Sequence, residues 1–251
     1  MLRSRVIPCL LVHQGGLVKT VRFKDPKYVG DPLNAVKIFN EKEVDELMVV
    51  DIDATVTNRE PNFGLIEQLA VECRMPLCYG GGVRSVEQAK RIVSLGVEKV
   101  ALSAALVEDP SLASRIADAV GTQSVVAVLD VKKSLLRKYE LYIHNGRKRT
   151  PLDPFEHAAK LESLGVGEVV VNAIDRDGTF SGYDRTLIAR MRDVLSVPLT
   201  VLGGAKDPHD IASLISDYGI IGAAAGSLFV FKGPYRAVLI NYSKPASMSH
   251  G

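Results

Sequence analysis

Residues 45–53, DELMVVDID, recur 122 positions later as residues 167–175, GEVVVNAID. At the same offset PLCYGGGVR (76–84) lies over PLTVLGGAK (198–206), and KVALSAAL (99–106) over IGAAAGSL (221–228), so Gly81 and Gly82 fall on Gly203 and Gly204. VIPCLLV (6–12) and VVAVLDV (125–131) form the remaining pair, giving two repeated halves of four strand-like runs each. Helical segments such as Asp109 to Val120 and Pro154 to Leu164 separate these runs, and Gly96, Gly121, Gly165 and Gly219 end several of them. Strand–helix alternation implies parallel pairing, and strands that are apolar throughout imply burial on both faces. An open doubly wound sheet is the rival, but a repeated four-strand unit closes more naturally as a (β/α)8 TIM barrel of two half-barrels. Its functional end is then the C-terminal ends of the strands.

One domain over residues 1–242 accommodates the whole pattern, followed by a polar tail at 243–251 that is expected to be disordered. The net charge of +2, from 31 basic and 29 acidic residues, argues against a nucleic-acid partner. No run reaches the ~20 apolar residues of a membrane span, and the N-terminus lacks a signal-like core, so a cytoplasmic protein is expected. Cys9, Cys73 and Cys78 have no metal-ligand spacing and read as reduced thiols, and no cofactor or metal is implied.

Two segments break the strand–helix rhythm. The stretch from His13 to Pro32 is long for a connector and reads as a lid or binding loop, with Lys19 at its apolar hinge. The stretch from Lys132 to Pro151 carries Asn145-Gly146, a hairpin signal, and a basic arm of Arg147, Lys148 and Arg149 that suits either solvent or an anionic substrate. The repeated glycines have the clearest chemistry. Gly80 to Gly82, with Ser103 at the next strand end, and Gly203-Gly204, with Gly226-Ser227, sit where backbone amides approach a phosphate at a helix N-terminus. Tight turns alone would also explain them. Their recurrence in both halves favours a phosphorylated small molecule, and the half with Asp177, Gly178, Gly203, Gly204, Gly226 and Ser227 reads as the better equipped site beside that of Gly82 and Ser103.

RVIPCL at the start, Lys19, YGGGVRS, VEDPSL, VLDVK and IDRDGTFSGYD (174–184) resemble the cyclase subunit of imidazole glycerol phosphate synthase over nearly the whole chain. The resemblance implies a barrel that takes ammonia from a glutaminase partner at its N-terminal face and uses it on a bisphosphate ribonucleotide at the other. It also implies two catalytic carboxylates, at the ends of strands one and five. Asp130 matches the second, whereas Leu11 stands at the first and can neither accept nor donate a proton. His13 and Asp51 are the candidates to replace it. Ser103-Ala104 also departs from the family's Asn-Thr.

Arg5, Glu46, Lys99 and Glu168 match the family's charged ring at the ammonia entrance; as bare residues they also suit a stabilising ion-pair cluster. A retained entrance with a missing acid resembles a divergent branch associated with acetamidino-sugar modification in surface (lipopolysaccharide-type) polysaccharide synthesis, in which a separate sugar amidotransferase consumes the ammonia. The resemblance thus implies an ammonia-channelling subunit, with a histidine-pathway cyclase (a lyase) and a non-catalytic scaffold that activates the glutaminase as alternatives.

Overall fold

The computed structural model describes residues 3–233 and 235–242, so the tail at 243–251 lies outside the described residues. Eight barrel strands alternate with helices. The strands are β1 (Arg5–His13), β2 (Leu47–Asp51), β3 (Leu77–Gly80), β4 (Lys99–Leu102), β5 (Val125–Lys133), β6 (Glu168–Ala173), β7 (Leu199–Leu202) and β8 (Gly222–Ala225). Each pairs in parallel with the next, and β8 pairs with β1 through Arg5↔Gly222 to Pro8↔Ala225, which closes the TIM barrel.

The outer helices are α1 (Pro32–Glu41), α2 (Phe63–Glu72), α3 (Val86–Ser94), α4 (Leu112–Val120), α5 (Pro154–Ser163), α6 (Arg185–Val194) and α7 (Pro208–Tyr218). Short helices, Ala104–Glu108 and Ser227–Val230, follow β4 and β8 and preserve the twofold repeat. Asp31, Asn62, Ser85, Asp153, Asp184 and Asp207 each accept a hydrogen bond from a first-turn amide of the helix that follows. Such a cap contributes ~1 kcal/mol, and here it fixes where each loop over the barrel mouth ends. Among the described residues no helix is long and apolar enough to cross a membrane. All three cysteines are free thiols.

Strand alternation divides the core in two. Val6, Leu10 and Val12 face the helices in the large outer cluster. Ile7 and Cys9 face inward with Met48, Cys78, Ala101, Val126, Val170 and Ala224, and Leu11, Val50, Val128 and Leu202 pack against them. The register also settles the equivalence of the mismatched pair. Leu11 lies opposite Val50 and Asp130 opposite Asn172, and Val50 and Asn172 are themselves 122 residues apart.

The stretch from His13 to Pro32 is a β-hairpin rather than an irregular loop. Gly16–Val21 continues antiparallel from β1 and pairs with Lys24–Gly30, and Lys19 lies buried within its first strand, not at a hinge. The second irregular stretch makes two turns. Tyr139–Ile143 returns along β5, and the predicted turn at Asn145-Gly146 then leads into Lys148–Arg149. The two hairpins meet over the mouth: the Asn145 side chain donates to the Ile52 carbonyl at 2.7 Å, and Gly146 abuts the Phe23 ring. Arg147, Lys148 and Arg149 are exposed, with Arg149 paired to Glu140 at 3.2 Å, so the basic arm is a solvated face.

Gly81 has φ +111° and a Cβ there would overlap the Asp51 carbonyl, whereas Gly219 has φ +65° in open space. Urea denaturation of Gly81→Ala is expected to show a loss of about 2–4 kcal/mol, from strain and overlap together. Gly219→Ala is expected to lose only ~1 kcal/mol, the backbone part alone.

Candidate functional site

At the C-terminal end of the barrel a cavity of about 230 Å³ opens above the apolar interior, lined by Cys9, Leu11, Met48, Val50, Val128 and Leu202 below and by Asp130 and Asn172 on β5 and β6. Asp130 accepts a hydrogen bond from Asn172 Nδ2 at 3.0 Å. Burial pushes its carboxyl up to about 7; the Asn172 bond opposes that rise and the Asp177 carboxylate adds to it. A carboxyl in that range exchanges protons readily at neutral pH. Opposite it, Leu11 presents hydrocarbon.

Neither expected substitute for the missing acid takes its place. His13 Nδ1 is 2.7 Å from Asp53 Oδ1 and its ring is held there, away from the cavity lining. Burial acts to raise the Asp53 carboxyl, but the Gln14 amide and His13 outweigh it and hold the group low. Asp51 does border the cavity, yet its Oδ1 already accepts from the amides of Asp53 and Ala54 at 2.9 and 3.0 Å, which fixes the turn after β2.

The two glycine sites are not equivalent. In the first half the Gly82 amide donates to Thr55 Oγ1 at 3.2 Å, and both Gly82 and Ser103 line the main cavity. In the second half Asp177, Gly178, Gly203, Gly204, Gly226 and Ser227 enclose a separate small pocket. There the amides of Gly204, Ala205 and Ser227 have no protein acceptor among the described residues. The Asp177 carboxylate accepts from Thr20 Oγ1 at 2.9 Å and the Phe23 amide at 3.4 Å, tying the first hairpin to the loop after β6. Burial raises its carboxyl. The Lys19 ammonium, lowered in basicity by burial, donates to the Cys9 carbonyl and lies against Gly226, where a Cβ would overlap it. The second pocket thus has open backbone amides on its wall, with the Lys19 ammonium behind Gly226.

At the opposite end Arg5, Glu46, Lys99 and Glu168 do form one ring. Arg5 bonds Glu46, and its Nη2 reaches Glu168 Oε1 at 2.8 Å. Lys99 Nζ lies 2.9 and 2.8 Å from the two Glu46 oxygens and 2.8 Å from Glu168 Oε2. Burial opposes the charge on Lys99, but Glu168 and Glu46 outweigh it and keep the ammonium more basic than usual. Arg5 and Lys99 likewise outweigh burial at Glu168 and hold it low. The sequence reading missed Thr200, whose hydroxyl donates to Glu168 Oε1 at 2.5 Å, and it missed Asn172. The signal for Thr200 was a lone polar residue in an otherwise apolar strand, and for Asn172 a polar residue four positions, and so on the same strand face, from Glu168. Among the described residues no cluster of His, Cys, Asp and Glu has the geometry to hold a metal ion.

Residues 5–235 match the family model described as histidine biosynthesis protein. A Vibrio vulnificus protein provisionally named imidazole glycerol phosphate synthase subunit hisF3 is 56% identical over 247 residues, 98% of this chain and 95% of its own. A Pseudomonas aeruginosa protein provisionally named subunit hisF2 of the same synthase is 51% identical over 242 residues, 96% of each chain. The imidazole glycerol phosphate synthase subunit HisF of Alkaliphilus metalliredigens is 35% identical over 229 residues, 91% of each.

The raised carboxyl of Asp130 sets a pH dependence. Between the unfolded carboxylate value and about 7 the folded chain holds the extra proton, so stability falls as pH rises through that window and is level above it. Asp130→Asn is expected to gain stability at pH 8, by up to about 4 kcal/mol, and to gain little at pH 4. Thermal or urea unfolding at the two pH values checks this, and an equal effect at both would contradict the burial of an ionisable group there.

Proposed function

This chain belongs to the histidine biosynthesis protein family, and from that membership we propose that it is the ammonia-channelling barrel of a glutamine amidotransferase assembly. A glutaminase docks at the N-terminal face, ammonia passes the ring of Arg5, Glu46, Lys99 and Glu168, and a separate sugar amidotransferase uses it to make an acetamidino group for a surface polysaccharide. The observation that carries the reading is the contrast between the two ends. The four-residue ring is complete, whereas Leu11 occupies the register position equivalent to Asp130. Between them the inward-facing residues are hydrocarbon, thiol and thioether. Such a column suits a small neutral molecule and disfavours an ion, because an isolated charge there would lack compensation.

The relatives above 50% identity bear provisional names as subunits of imidazole glycerol phosphate synthase, whereas one at 35% bears the unqualified HisF name. Asp130 in the main cavity, with Lys19 and the open amides of the second pocket nearby, favours a second reading, a true cyclase in histidine synthesis that binds a phosphorylated substrate at this end of the barrel. Ring closure with proton removal and delivery on opposite sides needs two groups, and the cavity supplies one in the required position.

Two measurements separate the readings. Supplied with ammonium and the ribonucleotide substrate of the cyclase, the purified chain is expected to turn over about 10²–10⁴-fold more slowly than an ordinary cyclase, and Leu11→Asp to raise the residual rate. Turnover at the ordinary rate would establish the second reading. In the reconstituted assembly Lys99→Ala, which leaves Arg5 as the one ring cation for the two carboxylates, is expected to depress glutamine-dependent product formation and spare the reaction driven by external ammonium. Equal loss in both, or no change in either, would contradict channelling; no change would suit a scaffold that only activates the glutaminase.

A further inference from the structure

We propose that Thr200 is a positioning residue of the charged ring, and that its hydroxyl selects the contact between Lys99 and Glu168 as the one that opens. This rests on the reading of the ring as a passage. The ring as it stands is closed. Both carboxylates touch both cations, so on the passage reading one of those contacts breaks when ammonia goes through.

The contacts are unequal. Lys99 makes two bonds to Glu46 and one to Glu168, so leaving Glu168 costs it least. Glu168 in turn has reserves that Glu46 lacks. Besides Arg5, at 2.8 and 3.3 Å, it receives the Thr200 hydroxyl at 2.5 Å, whereas among the described residues Glu46 is served by Arg5 and Lys99 alone. When Lys99 departs, Glu168 keeps two donors and Glu46 keeps all of its own. A buried carboxylate stripped of donors is costly, so the side with the spare donor opens first. The Thr200 bond counts for more in the open ring than in the closed one, because fewer donors then share the Glu168 charge.

The barrel is shaped to admit this hydroxyl. Thr200 and Arg5 both lie in register with Gly222 on β8, and Arg5 Nη2 reaches Thr200 Oγ1 at 3.4 Å. A Cβ on Gly222 would overlap Thr200 Oγ1, so the glycine clears the space in which the hydroxyl turns toward Glu168. Thr200 is 1% exposed in an apolar strand, a setting in which valine of the same shape would pack as well and bury no polar group.

The test uses the purified full chain and reductive methylation with ¹³C-formaldehyde and cyanoborohydride, because leaving Glu168 bares one side of the Lys99 amine and removes one of the two carboxylates that hold it protonated. Lys99 methylation is expected to slow about tenfold in Thr200→Val, the factor for one hydrogen bond to a charged group, and to keep its wild-type rate in Thr200→Ser. Exposed Lys148 is the internal reference. A hydroxyl that merely stabilises the ring has the opposite signature, with Lys99 reacting faster in Thr200→Val. That result, an unchanged rate, or slowing in Thr200→Ser as well would each overturn the assignment. The assay needs no partner: slowed methylation with undiminished glutamine-dependent flux in the assembly would uphold the role of Thr200 in the ring and overturn the passage instead.

Discussion

The parallel ladder between Arg5–Pro8 and Gly222–Ala225 is the constraint from which the other features follow. Without it the chain would be an open sheet with two unpaired edges and no enclosed interior. With it, successive inward positions become closed tiers: charged at the bottom, apolar through the middle, and polar at the mouth. Arg5 is both the first residue of that ladder and one of the two cations that touch both ring carboxylates. Closure of the sheet and assembly of the ring are one event.

Four charged side chains near the barrel floor would be a liability if any were left alone. Removing ions from water costs several kcal/mol each, and attraction offsets the loss only when partners are close and every donor is matched. The alternating order of cation and anion meets that condition, since each group has two neighbours of opposite sign. The same order widens the pH range over which the ring holds. Glu168 is depressed, so its contribution is present above the unfolded carboxylate value and lost only as pH falls through the lower folded one. Lys99 is raised, so its contribution is complete below the unfolded lysine value and lost only as pH climbs through the higher folded one.

Much of the barrel was legible because its information is local and repeated. The 122-residue offset, the apolar strands and the capping residues each depend on neighbours in sequence, and each reappears in the paired strands and helix starts. What depended on distant partners was not legible. The stretch from His13 to Pro32 reads as a loop because its second strand, KDPKYVG, is almost wholly exposed and carries a proline, so it lacks the apolar alternation of a strand. His13 looked available as an acid until Asp53, 40 residues on, took its ring. Asp177 is a similar case, since nothing in IDRDG announces that its carboxylate will meet Thr20 and Phe23. The ring members were named only through family resemblance, because a charged residue at the start of a strand looks the same whether it meets solvent or another strand's side chain.

The retention of Asp130 opposite Leu11 acquires a physical sense when one proton, rather than two, has to be handled. On the proposed reading, a lone carboxyl that burial holds near neutrality can give a proton to ammonia leaving the apolar column and take it back before the ammonia passes to the separate amidotransferase. A second carboxylate at position 11 would add a like charge across the same cavity and drive one of the two further from neutrality. Leucine instead keeps that wall continuous with the column of Ile7, Cys9 and Met48 below it, where water finds no hydrogen-bonding partner. On the proposed reading, the substitution that removes the chemistry of ring closure is also the one that extends the dry interior to the barrel's exit.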